Sequence, residues 1–217
     1  MSTFISKLPF TGINWGECLS AYRTFLAQPA KGINHINAAQ RYSNWDAWVR
    51  QRLEKQAEHL RGKTFRIDLA ELSKLPADTL GGSYARHMLA LGFDPNAFNN
   101  VFEDEDWLDQ RATLSHDIYH VVTGCVASPL GEYGLAAFAI VQYRDMLNTF
   151  ILSFVPLSLL RPNWTFPLLR NLWRGFKIGR QCQPIIGYAF EQNWEKPLSQ
   201  VRQELGIGAL YPQAQSA

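Results

Sequence analysis

The sequence is short of cysteine. Its 217 residues include three, Cys18, Cys125 and Cys182, far apart and odd in number. They form no CxxC pair, so neither a zinc ribbon nor a disulfide framework is indicated, and a reducing compartment fits best. Charge of one sign is missing too. Twenty-one Lys and Arg against nineteen Asp and Glu leave a net +2, far from the clustered basic charge that nucleic-acid binding needs; no nucleic-acid partner is expected. Long apolar runs are also absent. Nothing reaches the roughly 18 residues of a membrane-spanning helix. The nearest candidate, Met146 to Leu160, is short and interrupted by Pro156, and reads as a buried or interfacial helix. The N-terminus, MSTFISKLPFTGINWGEC, lacks the basic-then-apolar order of a secretory signal. Its poverty in Arg argues against a mitochondrial transit peptide. There are no internal repeats and no low-complexity linkers.

What is present describes a folded helical chain. Hydrophobic residues make up 47% and charged residues 18%, with seven Trp, eight Tyr and thirteen Phe. That composition supports a substantial core, and the length suits one well-buried domain, taken as residues 1–217. Trp45, Trp48, Val49 and Leu53 give one apolar side to a helix from Asn44 to Leu60, stopped by Gly62. Pro76 breaks the chain, and Asp78 or Thr79 caps a helix from about Leu80 to Leu91, ended by Gly92, with a turn at Asp94-Pro95. The acidic cluster Glu103 to Asp106 precedes another helix, where negative charge favours the dipole. Further helices fit Leu114 to Cys125, Leu130 to Leu147, Met146 to a break near Pro156, Phe166 to Gln181, and Lys196 to Leu205. Strand-like alternation is scarce. The fold class is all-α, a single-domain helical bundle.

The informative segment is Ser115-His116-Asp117-Ile118-Tyr119-His120. At about 100° per residue, Leu114, Ile118, Val121, Val122 and Cys125 share one apolar arc, while His116, Asp117 and His120 share another. His116 and His120 have the i, i+4 spacing that lets two imidazoles reach one ion. One helix does not easily close a metal site, so the next element should deliver the remaining ligand. Gly124 ends the helix or allows close approach, and Ser128-Pro129 reads as an N-cap and first helical residue. Glu132 then lies in the first turns of an antiparallel returning helix, where Gly134, Ala136, Ala137 and Ala139 permit close packing. Two His, one Asp and one Glu suit a divalent metal. Zinc is the first choice; iron, manganese and magnesium stay open. The competing reading is a solvent-facing His116-Asp117 pair beside a satisfied, partly buried His120.

His116-Asp117-x-x-His120, eleven residues, then Glu132 resembles the HDxxH-x11-E zinc-ligand motif of the coenzyme Q (ubiquinone) biosynthesis protein 4 family. Leu75-Pro76 through Thr79-Leu80-Gly81 and Tyr84 is similar to that family's LPxxTLGxxY segment. Trp194, Pro197, Leu198, Val201-Arg202 and Leu205-Gly206-Ile207 are similar to its closing WxxPLxxVRxxLGI pattern. The resemblance implies an all-helical fold, peripheral membrane association and a polyprenylated benzenoid substrate. It implies oxidative decarboxylation at ring carbon 1, or a scaffold role among other quinone-biosynthesis proteins, and a homodimer. His116, Asp117, His120 and Glu132 would be both metal ligands and catalytic centre. Without an organellar extension the chain looks like a bacterial member, placed in the cytoplasm on the inner face of the membrane; a eukaryotic one would sit at the mitochondrial inner membrane.

A prenyl tail must be buried somewhere. Met146, Leu147, Phe150, Ile151, Phe154 and Val155 recur at helical spacing and are read as the wall of an apolar tunnel beside Glu132, with plain core as the alternative. Arg170, Arg174, Lys177 and Arg180 make a basic stripe with Trp173 and Phe176 nearby, suited to anionic headgroups or a prenyl phosphate. Lipid contact is thus expected at Met146, Phe150, Phe154, Arg174 and Lys177. Arg86 and His87 are read as lining the site from the opposite side, with structural roles as the alternative for both. Two other functions compete. A non-catalytic prenyl-lipid carrier or scaffold shares the fold and the lipid. A His-Asp type phosphohydrolase would use His87, His116-Asp117 and Asp145, but leaves His120 and Glu132 without a role.

Overall fold

Side-chain caps and breakers define the helices. The computed structural model describes residues 8–63, 65–95, 97 and 106–211. Among them, regular structure is helical, with one isolated antiparallel bridge between Thr79 and Pro197. Helix α1 (Trp15–Thr24) starts where the Asn14 side chain accepts from the amides of Gly16 and Glu17, and α2 (Pro29–Gln40) starts on its proline. No specific sequence expectation covered these two. Helix α3 (Asn44–Ala57) is capped by Ser43 and continues as a 3-10 turn to Leu60, matching the expected span. A short α4 (Leu69–Leu72) leads to α5 (Leu80–Leu91). The Thr79 hydroxyl accepts from Gly82 N–H at its start, and Gly92 in the left-handed region ends it, as the turn residues predict.

Helix α6 (Trp107–Thr123) merges two expected helices, the one after the acidic cluster and the one from Leu114. Asp106 stands just before it, while Glu103, Asp104 and Glu105 lie outside the described residues. Helix α7 (Pro129–Tyr143) ends before the expected Leu147. Arg144 turns left-handed (φ 54°), and Asp145 caps α8 (Met146–Leu152) by accepting from Asn148 N–H. Pro156 falls in the first turn of α9 (Val155–Leu159), where its missing N–H costs nothing. Helices α10 (Thr165–Gln181) and α11 (Leu198–Glu204) follow.

The main core gathers α5, α6 and α7 around Leu80, Tyr84, Ile118, Val122 and Phe138. The C-terminal segment fastens it. Leu80 and Gly81 N–H donate to the carbonyls of Lys196 and Trp194, both at 2.8 Å, and Leu198 N–H donates to Asp78 O at 2.7 Å. The two segments that flank the metal motif in sequence therefore pack on each other. Helices α7 and α10 cross at backbone contact: a β-carbon on Gly175 would lie 2.0 Å from Gly134 O. The small residues expected to allow close packing do so, but against α10. A second core joins α1 and α2 to α8 through Ala21, Ile36, Phe150 and Phe154.

Candidate metal centre

Helix α6 carries His116, Asp117 and His120 on one side, and one ligand atom from each falls within 4.8 Å of the others. His116 is exposed, Asp117 partly covered and His120 buried. Glu132 arrives from the first turn of α7, because Gly124 adopts φ 62° and turns the chain back, and Ser128 caps the new helix on Gly131 N–H. Glu132 Oε1 stands 3.0 Å from His120 Nε2, and Glu132 Oε2 stands 3.8 Å from His116 Nε2. The structure thus brings together all four residues singled out from the sequence. Asp117 Oδ1 lies 3.5 Å from the other ring nitrogen of His116. From there it can orient that imidazole as well as coordinate beside it.

His120 shows what this arrangement is suited to. Its Nδ1 lies 2.7 Å from Cys125 O. A carbonyl only accepts, so Nδ1 carries the proton and the neutral ring presents a bare lone pair at Nε2. That atom is buried and makes no hydrogen bond, although Glu132 Oε1 is 3.0 Å away. A lone pair facing a carboxylate oxygen needs a cation or a proton between them. Tetrahedral zinc with bonds of 2.0–2.1 Å keeps its ligand atoms about 3.3 Å apart; the 3.0 and 3.8 Å separations bracket that value.

The electrostatics describe the same cluster with a proton in place of a metal. Burial alone would raise the Asp117 carboxyl, but His116, with His120 and His87 behind it, holds it below the usual carboxylate range. Burial would likewise lower His120, and the Glu132 carboxylate outweighs it and raises the ring, which favours a proton on Nε2 where no cation is held. His87, on α5, stacks on His120 with ring centroids 5.8 Å apart. Burial and then His120 lower its pKa, and its Nε2 has no hydrogen-bond partner. His87 therefore lines the site beside His120, while Arg86 is exposed.

Sequence reasoning missed what holds the end of α6. Arg174 and the Tyr211 hydroxyl both donate to Thr123 O, at 3.0 and 2.7 Å. Arg202 donates to Val122 O and Val121 O at 2.9 and 3.0 Å. Three unpaired carbonyls at the helix C-terminus thus meet two guanidinium groups and a phenol, the favourable charge for that end. The only sequence signal was Arg202 within the closing pattern. Arg174, expected in the basic stripe, stays exposed, but its guanidinium reaches Thr123 O and lies 5.7 Å from the Tyr211 ring centroid. Lys177 stays exposed on α10.

The apolar run packs into the second core. Phe150 and Phe154 are 2% and 4% exposed. They meet the rings of Tyr22 and Phe25 at centroid distances of 4.8–5.4 Å, and Met146 packs at their edge. The run does return along α7, since Ser158 and Tyr133 hydroxyls lie 2.8 Å apart, one residue from Glu132. Asp145 does not join the centre. It accepts from Asn148 at the far end of α7, thirteen residues and about 20 Å along the helix from Glu132. The phosphohydrolase arrangement of His87, His116-Asp117 and Asp145 is therefore not assembled.

A family model described as coenzyme Q (ubiquinone) biosynthesis protein Coq4 matches residues 47–210. The mitochondrial ubiquinone biosynthesis protein COQ4 homolog of Rattus norvegicus is 29% identical over 145 residues, covering 65% of this chain and 55% of that protein. The mitochondrial coq4 protein of Aspergillus fumigatus is 31% identical over 146 residues, covering 65% and 50%. The chain spans about half the length of these curated relatives. A crystal structure of a candidate ubiquinone biosynthesis protein from Nostoc punctiforme is 29% identical. It matches with a TM-score of 0.75 over 90% of this chain and 99% of that one.

Proposed function

The chain belongs to the coenzyme Q (ubiquinone) biosynthesis protein Coq4 family, and from that premise we propose that it is a metal-dependent protein of ubiquinone biosynthesis acting on a polyprenylated benzenoid precursor. The reaction is oxidative loss of the ring carboxyl at carbon 1 as carbon dioxide, with a hydroxyl from water taking its place and the two electrons passing to an acceptor supplied from outside the chain. The observation that carries the metal reading is the buried His120 Nε2, held bare by the Cys125 carbonyl and aimed at Glu132. Two imidazoles and two carboxylates supply the donor set, and its two negative charges match a divalent cation, zinc before iron, manganese or magnesium. Such an ion polarises a carboxylate or carbonyl oxygen of a bound substrate. The residues themselves fix position: Cys125 O orients His120, Asp117 orients His116, and His87 packs on the His120 ring. The prenyl tail is assigned to the seam of Met146, Phe150 and Phe154, which opens by displacing Tyr22 and Phe25 of α1. The chain works beside other quinone-biosynthesis proteins.

The test is elemental analysis of the purified protein and of Glu132→Ala, with circular dichroism to show that the variant folds. Near-stoichiometric zinc, iron or manganese in the first and its loss in the second is the expected result. Decarboxylation of a prenylated hydroxybenzoate is then assayed with both. Absence of metal from both proteins, even after it is added back, overturns the metal reading. A prenyl lipid that co-purifies without any turnover would favour a carrier role.

A further inference from the structure

We infer that His87 is a further ligand of the candidate metal centre, a third imidazole brought by α5. The inference deepens the metal reading and rests on it. Among the described residues, two imidazole nitrogens are buried without a hydrogen-bond partner, His87 Nε2 and His120 Nε2. They belong to neighbouring rings, 5.8 Å apart between centroids and 26° apart between planes. A buried nitrogen that gives up water needs a partner in exchange. One cation reached by both rings supplies that partner to both atoms.

The ring spacing allows it. A zinc–nitrogen bond of about 2.0–2.1 Å puts the ion roughly 3.2 Å from the centre of an imidazole. Two rings on one ion then have centroids about 5.2 Å apart at the tetrahedral angle, and about 6.4 Å at most. His116 and His120, at 5.0 Å, lie close to the tetrahedral figure. His87 and His120, at 5.8 Å, fall inside the limit. The position of His87 follows from the fold. Tyr84 is 1% exposed in the main core, and His87, three residues on, lies on the same side of α5. Thr79 caps that helix, and the carbonyls of Lys196 and Trp194 hold Leu80 and Gly81 at its start. The ring is therefore carried by a fixed element. With His87 the donors come from α5, α6 and α7. Five of them exceed the four of a closed tetrahedral zinc site, so the ion is one that accepts five or six ligands. His120 is buried, while the side chains of His116 and Glu132 are 51% and 46% exposed. A substrate thus reaches the centre from the His116 and Glu132 side.

The experiment strips the full chain with a chelator, reloads it with zinc, and records X-ray absorption at the zinc edge, beside His87→Phe. Imidazole scattering counts the histidines on the ion. The expected result is three imidazoles in the wild type and two in His87→Phe. Zinc affinity, read by competition with a chromogenic chelator, should be at least about tenfold weaker in the variant. Phenylalanine keeps a ring against His120, so an unchanged Tm of the metal-free variant separates ligation from packing. His87→Gln serves where His87→Phe does not fold. Two imidazoles in the wild type overturn the inference and leave the metal reading standing. So does wild-type zinc affinity in a folded His87 variant, and a lowered metal-free Tm beside that affinity assigns His87 to packing alone. A wild type that takes up no zinc overturns both.

Discussion

Replacing Gly131 with alanine probes the frame of the candidate centre without touching a ligand. Gly131 sits in the first turn of α7, one residue before Glu132, where the α6–α7 loop folds over it. A β-carbon there would lie 1.8 Å from Val126 O and 2.8 Å from Val126 C. Real β-carbons essentially never come within 3.0 Å of another heavy atom, so the loop or the helix start must move by about 1.2 Å. Either movement reaches the centre. The loop carries Cys125 O, which holds His120 at 2.7 Å; the helix start carries Glu132, 3.0 Å from the same ring. Overpacking of this kind costs about 1–3 kcal/mol. At about 2–4 °C per kcal/mol for a chain of this size, Tm should fall by about 2–12 °C. Loss of an orienting contact weakens metal binding by about 10–100-fold. Differential scanning calorimetry and competition with a chromogenic chelator read the two effects, with Gly16→Ala on α1 as a control distant from the centre. A Gly131→Ala protein with unchanged Tm and wild-type metal affinity would refute the reasoning.

Two further predictions concern buried charge. Arg111 is 3% exposed and donates to the carbonyls of Ile186 and Tyr188 while facing the Glu191 carboxylate. Arg111→Met leaves Glu191 buried without a cation and should cost about 3–5 kcal/mol in urea unfolding, with the added Glu191→Gln recovering part of it; no loss in the single variant would rule the pairing out. Burial pushes Asp145 from 3.8 up to about 6, against the hydrogen bonds from Asn148. A carboxyl raised on folding lowers stability when it ionises, so the penalty is absent below pH 3.8, grows between 3.8 and about 6, and is constant above that. Asp145→Asn keeps an acceptor for the α8 cap and removes the charge. Because Asp145 is only partly covered from solvent, a gain of about 1–2 kcal/mol is expected at high pH, vanishing in acid. An equal effect at both ends of the pH range would show that the charge is not the cause.

Much of the helix pattern was legible because it rests on local chemistry. Thr79 and Gly92 bound α5 where capping predicts, and Ser128-Pro129 starts α7 where an N-cap and a first-turn proline should. Other bounds moved for reasons that are not local. The helix expected from Leu130 to Leu147 stops at Tyr143 because Arg144 turns left-handed and Asp145 starts a new cap. The chain there is held from a distance, by the Trp45 indole donating to Arg144 O and by Arg52 donating to Tyr143 O. Helices α1 and α2 had no distinctive signal; Tyr22 of α1 meets Phe150 edge-on, and Phe25 just after α1 lies tilted against Phe154.

The sequence by itself determined that His116, Asp117 and His120 share one side of a helix, since a period of 3.6 residues leaves no other arrangement for that spacing. It also determined that Glu132 opens the next helix. Only the tertiary structure decided that Glu132 meets His120 at 3.0 Å, that Cys125 O takes the other ring nitrogen, and that His87 stacks from α5. It likewise decided that Arg174 of α10 reaches the open carbonyl of Thr123 on a neighbouring helix, while Lys177 is exposed. Helix periodicity is written within one segment, whereas the distance between two segments depends on everything packed between them. Here that is the backbone contact of Gly134 with Gly175 and the fold-back of the loop over Gly131.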